Sequence, residues 1–346
     1  MTSEVRCEAR GGLGEIVLNR PEVLNSLNLG MLQAMYDQLL AWAGSPEIKA
    51  VLVRGAGDKA FCAGGDVRAV WEGRGDDEFM DRVYRVEYLL DDLISNYPKP
   101  YIALMYGVTM GGGCGVSVHG SSRVVDETTV LAMPETAIGL FPDIAGTHFL
   151  SRCPGSIGMY LALTGARLSG ADAVYSGLAD YFVPRTRTTE LIDRLAQGEQ
   201  PEAALSSVEV TAGDSRLAAD RPAIDRCFGR ASVSEIVAAL AEEPGAWAEP
   251  ARRALAAASP TSLEITFRAI REARSKTVRE CLITDFRIAQ RLMRQHDYFE
   301  GVRALIIDKD RRPAWQPATL ALIDPAAIAQ CFEPWHKDMR FPDSPV

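Results

Sequence analysis

Apolar positions along the first half of the chain come in short runs separated by helical spacing. Ile16-Val17-Leu18 reads as a strand that ends at Asn19-Arg20-Pro21. Asn28 is placed to cap a helix in which Leu29, Leu32, Tyr36, Leu39 and Leu40 share one face. Ile48 to Val53 has the continuous apolar character of a buried strand and is stopped by Gly55 and Gly57. A polar, acidic stretch from Glu72 to Asp81 leads into a helix over Arg82–Asn96. Beyond Pro98 and Pro100 come three more strands, at Tyr101–Tyr106, Arg123–Val125 and Val130–Ala132. Such alternation predicts an α/β architecture, and no G-x-G-x-x-G follows a strand, so a dinucleotide fold is not indicated. From about residue 186 the pattern turns helical and rich in Ala, Glu and Arg, broken by Pro201, Pro222, Pro244, Pro250 and Pro260. A boundary is expected at residues 185–205. It divides a core over 1–200 from a mostly helical region over 201–346 that covers the site, with a long loop expected within Gly198–Gly229.

Composition narrows the function. The chain has 346 residues, 47% of them hydrophobic, and a net charge of −9. That size carries a large core, and the acidic balance argues against nucleic-acid binding, which needs a basic surface. Seven cysteines without a C-x-x-C pair suit a reduced, cytoplasmic setting. The four histidines form no metal-type cluster. Neither a signal peptide nor a membrane-spanning stretch is expected.

The chemistry concentrates in Met133-Pro134-Glu135-Thr136-Ala137-Ile138-Gly139-Leu140-Phe141-Pro142-Asp143, where two acids sit in apolar sequence. Carboxylates there are costly to bury unless paired, protonated or functional. Two glycine-rich turns accompany them, Ala63-Gly64-Gly65-Asp66 and Gly111-Gly112-Gly113, each where a strand gives way to a helix. Each alone reads equally as a tight turn or a close packing contact. Together they offer two main-chain N–H donors, from Ala63 and Gly112, to one carbonyl oxygen. Glu87, on the helix expected from Arg82, reads by pattern as a solvated charge, and His119 as a structural hydrogen-bonder. Gly115-Val116-Ser117-Val118-His119 lacks the final glycine of a nucleophile elbow, and no Walker A or H-E-x-x-H pattern occurs.

These residues resemble the crotonase (enoyl-CoA hydratase/isomerase) superfamily. The match runs through Asn19-Arg20-Pro21, Leu24-Asn25-Ser26-Leu27, Ala60-Phe61-Cys62-Ala63-Gly64-Gly65-Asp66 and Met110-Gly111-Gly112-Gly113. Within it the chain looks most like the 3-hydroxyisobutyryl-CoA hydrolase family of valine catabolism. That narrower match rests on Gly111 to Gly120, Met133 to Asp143, Ser259-Pro260-Thr261-Ser262-Leu263 and Phe299 to Asp310. The resemblance implies a spiral of ββα units followed by helices, and a homo-oligomer, trimer or hexamer. It implies an acyl-CoA substrate and no cofactor, coenzyme A being part of the substrate. Glu135 and Asp143 become the catalytic acids, Ala63 and Gly112 the oxyanion hole. Glu87, Gly64, Gly65 and Asp66 become substrate contacts, with Lys59 and Lys309 candidates for the CoA phosphates by position. Hydratases carry a first glutamate where this chain has Gly115, which argues for thioester hydrolysis over hydration or isomerisation. A non-catalytic acyl-CoA-binding protein would be expected to have lost the acids. Ile144-Ala145-Gly146 is bulkier than the Gly-richer run of many relatives.

Overall fold

A computed structural model describes residues 3–343. Its first half repeats one unit: a long strand, a short strand, then helix. Strands β1 (Val5–Arg10) and β2 (Leu13–Leu18) open the chain as an antiparallel pair and are followed by helix α1 (Leu29–Gly44). Next come β3 (Ala50–Gly55), β4 (Ala60–Cys62), α2 (Val67–Glu72) and α3 (Asp77–Ser95). The third unit is β5 (Tyr101–Met105), β6 (Val108–Met110) and α4 (Gly112–Val118). The fourth is β7 (Ser122–Val125), β8 (Val130–Ala132), a 3₁₀ turn over Glu135–Ile138 and α5 (Gly146–Leu150). Strand β9 (Tyr181–Phe182) closes the series.

The long strands form one sheet in the order β1-β2-β3-β5-β7-β9, parallel from β2 onward. The short strands form a second, fully parallel sheet, β4-β6-β8. The second, third and fourth units therefore contribute one strand to each sheet, while the first places both β1 and β2 in the large one, which is the expected ββα spiral. The corner between β5 and β6 requires glycine: Gly107 has φ +55°, and a Cβ there would strike the backbone of Lys59.

Strands β1, β4, β6 and β9 and helix α2 escape the sequence pattern. β1 is an edge strand exposed along most of its length, so it carries polar residues. β4, β6 and β9 span two or three residues, too few for a period to register. Helix α3 starts at Asp77 rather than Arg82, because the Asp76 carboxylate accepts the Phe79 N–H at 3.0 Å. The Asn28 cap forms as expected, its side chain accepting from Met31 N–H at 2.9 Å.

The C-terminal helices correct the expected long loop in 198–229. Helices Pro201–Val208 and Arg216–Phe228 fill most of it. Pro222 lies inside the second, yet Leu217, Ile224, Cys227 and Phe228 bury one face, and that burial outweighs the local penalty. Pro201 and Pro260 open their helices at the first position, where a missing N–H costs nothing. One core cluster extends from Val5 to Met339. A second, on the other face of the large sheet, joins Leu13, Leu52, Ile102 and Leu104 to Leu191, Leu195, Leu205 and Val208. The boundary expected near residue 200 thus runs through a shared layer. Helix Val278–Leu292 packs along α3, which in turn packs on α1.

Asn25 ties the units together. It is fully buried at φ +57°, and its amide donates to the carbonyls of Ala56 at 3.0 Å and Ala60 at 2.9 Å while its oxygen accepts from Arg20 N–H at 3.0 Å. Removing it leaves three buried backbone groups unpaired. Asn25→Ala is expected to destabilise the fold by roughly 3 kcal/mol, read as a lowered denaturant midpoint at unchanged m-value.

Candidate active site

Two loops of bare backbone meet beneath the two sheets. One follows β4 and contains Gly64 at φ +110°; the other follows β6 and contains Gly111 at φ +50°. A Cβ on Gly64 would lie 3.1 Å from Met110 O and 3.6 Å from Gly112 N, and one on Gly113 would lie 3.0 Å from the Cys62 side chain. A Cβ on Gly112 would lie 3.2 Å from Gly65 N and would strike the Glu87 carboxyl. The glycines are therefore required by contact.

This packing corrects one expected donor. The Ala63 N–H points away and donates to Leu24 O at 2.9 Å. The next free N–H belongs to Gly65, for which the described residues supply no acceptor, as is also true of Gly112. The free pair that lies close together on the cavity wall is Gly65 with Gly112. The signal available in the sequence was that any of three consecutive residues offers an N–H; which one is free depends on the Leu24–Leu27 strand-like contact, in which Leu27 N–H donates to Gly64 O and Asp66 N–H to Leu27 O.

A cavity of about 240 Å³ opens in front of these donors. Gly64, Gly65, Gly111, Gly112, Glu87, Glu135 and Asp143 line it together with Ala63, Tyr84, Pro134, Leu140, Leu305 and Ile306. Glu135 begins the 3₁₀ turn after β8; Asp143 follows the loop from Gly139 (φ +75°). Both acids are 5% exposed and Glu87 is 6% exposed, so the solvated-charge reading of Glu87 fails: it lies on the face of α3 that packs inward. Asp66 departs from expectation too. It does not line this cavity; its carboxylate caps α2 through Ala69 N–H at 3.2 Å and pairs with Arg20 at 3.1 Å. Lys59 and Lys309 are exposed and lie outside the cavity lining.

None of the three cavity acids forms an ion pair with Lys or Arg among the described residues. Burial consequently raises all of them. Glu135 stands well above the ordinary range through burial, with the neighbouring Asp143 and Glu87 charges adding to it. One of its oxygens has no hydrogen-bond partner. Glu87 is pushed up to about 8 by burial and by Asp143. Asp143 rises less, to about 6, because the Tyr88 hydroxyl donates to its Oδ2 at 2.7 Å and opposes the desolvation. Tyr84 went unnoticed in the sequence and Tyr88 registered there only as the neighbour of Glu87, although the spacing puts Tyr84 on the same helix face as Glu87.

A stability consequence follows from these shifts. A carboxyl whose folded value exceeds its unfolded value stabilises the fold while protonated; that contribution is complete below the unfolded value and disappears as pH rises through the folded one. The melting temperature of the unliganded protein should fall as pH rises from about 4, the unfolded value, with Asp143 contributing up to about 6 and Glu87 up to about 8. Glu87→Gln, which has no proton to lose, should show a shallower fall by scanning fluorimetry.

Comparison with known proteins places this geometry. The family described as enoyl-CoA hydratase/isomerase matches residues 13–332. The mitochondrial 3-hydroxyisobutyryl-CoA hydrolase of Danio rerio is 43% identical over 341 residues, 95% of this chain and 89% of that protein. The Homo sapiens protein of the same name is 42% identical over 92% of this chain and 85% of its own length. Among solved structures, a carnitinyl-CoA dehydratase from Mycobacterium thermoresistibile superposes with a TM-score of 0.95 at 38% identity, covering 99% of this chain and all of that one. An enoyl-CoA hydratase from Rhodobacter sphaeroides 2.4.1 gives a TM-score of 0.93 at 38% identity, over 98% of this chain and 100% of the other.

Proposed function

The chain belongs to the enoyl-CoA hydratase/isomerase family, and on that premise we propose that it hydrolyses a short-chain 3-hydroxyacyl-CoA thioester, 3-hydroxyisobutyryl-CoA of valine catabolism being the substrate that the names of similar proteins suggest. One observation carries this reading: two free main-chain N–H groups and two buried carboxyls line a single cavity, while position 115 offers no acid.

The thioester oxygen sits between the N–H groups of Gly65 and Gly112. These donors strengthen as the carbonyl becomes an oxyanion, and one such donor is worth about 3–4 kcal/mol of barrier. Burial and the Asp143 charge hold Glu135 protonated while Asp143 ionises near pH 6, so the pair carries one proton through neutral pH. In the empty site Asp143 is the easier of the two to ionise. The reactive arrangement is the other one, with the charge on Glu135 and the proton on Asp143. Glu135 then attacks the carbonyl carbon, or takes a proton from the water that does. As the carbon–sulfur bond breaks, the proton on Asp143 passes to the departing thiolate, giving free CoA. The anhydride and direct-water routes both balance with these groups. Glu87 and Tyr84 face the acyl end and offer polar contacts to a hydroxyl.

The structural resemblance to a dehydratase and a hydratase supports a second reading, hydration on the same scaffold. Gly115 weighs against it: Asp91 fills the space a side chain there would need, its Oδ1 lying 2.6 Å from where a Cβ would stand. All seven cysteines are free, which supports a reducing compartment, the cytoplasm in our reading. No helix of the described residues is long and apolar enough to cross a membrane. The homo-oligomer, trimer or hexamer, and the absence of any cofactor beyond the substrate's own CoA belong to the same proposal.

Glu135→Gln is expected to lower kcat for thiol release at least roughly 1000-fold with CoA-ester binding retained. Assays with 3-hydroxyisobutyryl-CoA, 3-hydroxypropionyl-CoA and crotonyl-CoA in parallel decide between readings. Undiminished turnover in the variant, or hydration of crotonyl-CoA without CoA release from any ester, would overturn the hydrolase. The wild-type rate should fall as pH drops through about 6, where Asp143 protonates and the pair takes up its second proton.

A further inference from the structure

The backbone just after Asp143 is strained. Ile144 has φ +56° and Ala145 has φ +51°, two consecutive L-residues in the left-handed region. That region costs roughly 1–2 kcal/mol per residue and is especially unfavourable for a β-branched side chain. Both residues are buried, at 1% and 0% exposure, so the turn is not a loop free to relax. It tightens on itself through Gly146 N–H to Asp143 O at 2.6 Å.

Two distant side chains grip the turn. His119 Nε2 lies 2.7 Å from Ile144 O, and since a carbonyl only accepts, that nitrogen carries the proton. His119 is the C-cap of α4, whose first residue is Gly112. One short helix therefore connects an oxyanion donor to the turn behind the acid. From the other side, Ala145 N–H donates to Asp285 Oδ2 at 2.8 Å. Asp285 projects from the helix Val278–Leu292 and is fully buried. It has no ion-pair partner among the described residues, and its second oxygen has no hydrogen-bond partner. A buried carboxyl with one hydrogen bond is an expensive way to fill a core unless that bond is needed.

We propose that Asp285 and His119 are positioning residues, which hold the Ile144–Ala145 turn in its left-handed form and so aim the Asp143 carboxyl at the cavity and at Tyr88. They act through Asp143 and touch no substrate. The inference rests on the hydrolase reading for the step it serves, but the turn exists whichever reaction the cavity performs.

The test is a rescue. Asp285→Leu removes the acceptor at similar volume and should lower kcat for 3-hydroxyisobutyryl-CoA roughly 100-fold at little-changed KM, as a displaced catalytic group does. Asp285→Asn keeps an oxygen for the Ala145 N–H and should stay close to wild type. Adding Ala145→Gly to Asp285→Leu should recover about tenfold, since glycine takes positive φ without the side-chain penalty. Glycine at 145 relieves only the backbone strain of the turn and cannot refill or repack a core disturbed around residue 285. No recovery in the double variant, or Asp285→Asn as poor as Asp285→Leu with both melting as folded proteins, overturns the proposal. If Asp285→Leu does not fold, His119→Phe with and without Ala145→Gly asks the same question of the other grip. If wild type releases no thiol but hydrates crotonyl-CoA, the hydrolase reading fails and the same variants are compared by hydration rate.

Discussion

Everything in this site depends on two turns of backbone touching with no side chain between them. A Cβ on Gly64 would sit 3.1 Å from Met110 O and one on Gly112 3.2 Å from Gly65 N, tighter than ordinary contact, while Gly65 itself faces open space. The contact places two unused N–H groups side by side, and it can form only because β4 and β6 are neighbours in the small sheet. The spiral supplies that adjacency: the second, third and fourth units each send their short strand to the same sheet. The oxyanion donors are thus a property of the repeat, and the glycines let the repeat close tightly enough to use it.

Charge is the second constraint. Asp92, on the same helix as Glu87, pairs with Arg279 at 2.7 Å. The acids facing the cavity have no such partner. Cations placed there would lower their pKa values and remove the proton that a departing thiolate needs. Leaving them unpaired keeps protons in the site, and a single hydroxyl from Tyr88 is enough to make Asp143 the exception that ionises near pH 6. That hydrogen bond decides which acid ionises first in the empty site, and the proposed reactive arrangement moves the proton from Glu135 to Asp143.

Strain completes the arrangement. The turn after Asp143 stays in a disfavoured conformation because groups from three elements over-determine it: the cap of α4, a carboxyl of a C-terminal helix and the turn's own hydrogen bond. The C-terminal helices do more than cover the site. They share its core, supply Leu305 and Ile306 to its wall and hold its acid in place.

The linear sequence determined the alternating architecture and the helical second half, and it singled out most of the residues proposed to act. Glycine runs and isolated acids in apolar sequence are chemically conspicuous wherever they fold, and Glu135, Asp143, Gly112 and the Ala63–Asp66 turn stood out for that reason. Of the strands of two or three residues only β8 was legible, because a period needs length to register. Three assignments needed the tertiary structure. Ala63 and Gly65 are equivalent as N–H donors until a carbonyl from residue 24 occupies one of them. Glu87 is an ordinary helix charge until α3 turns that face inward. Asp66 is a ligand candidate until Arg20, 46 residues earlier, claims it. Composition and spacing fix which groups are available; only the approach of segments remote in the chain decides which of them are already satisfied and which are left free to act.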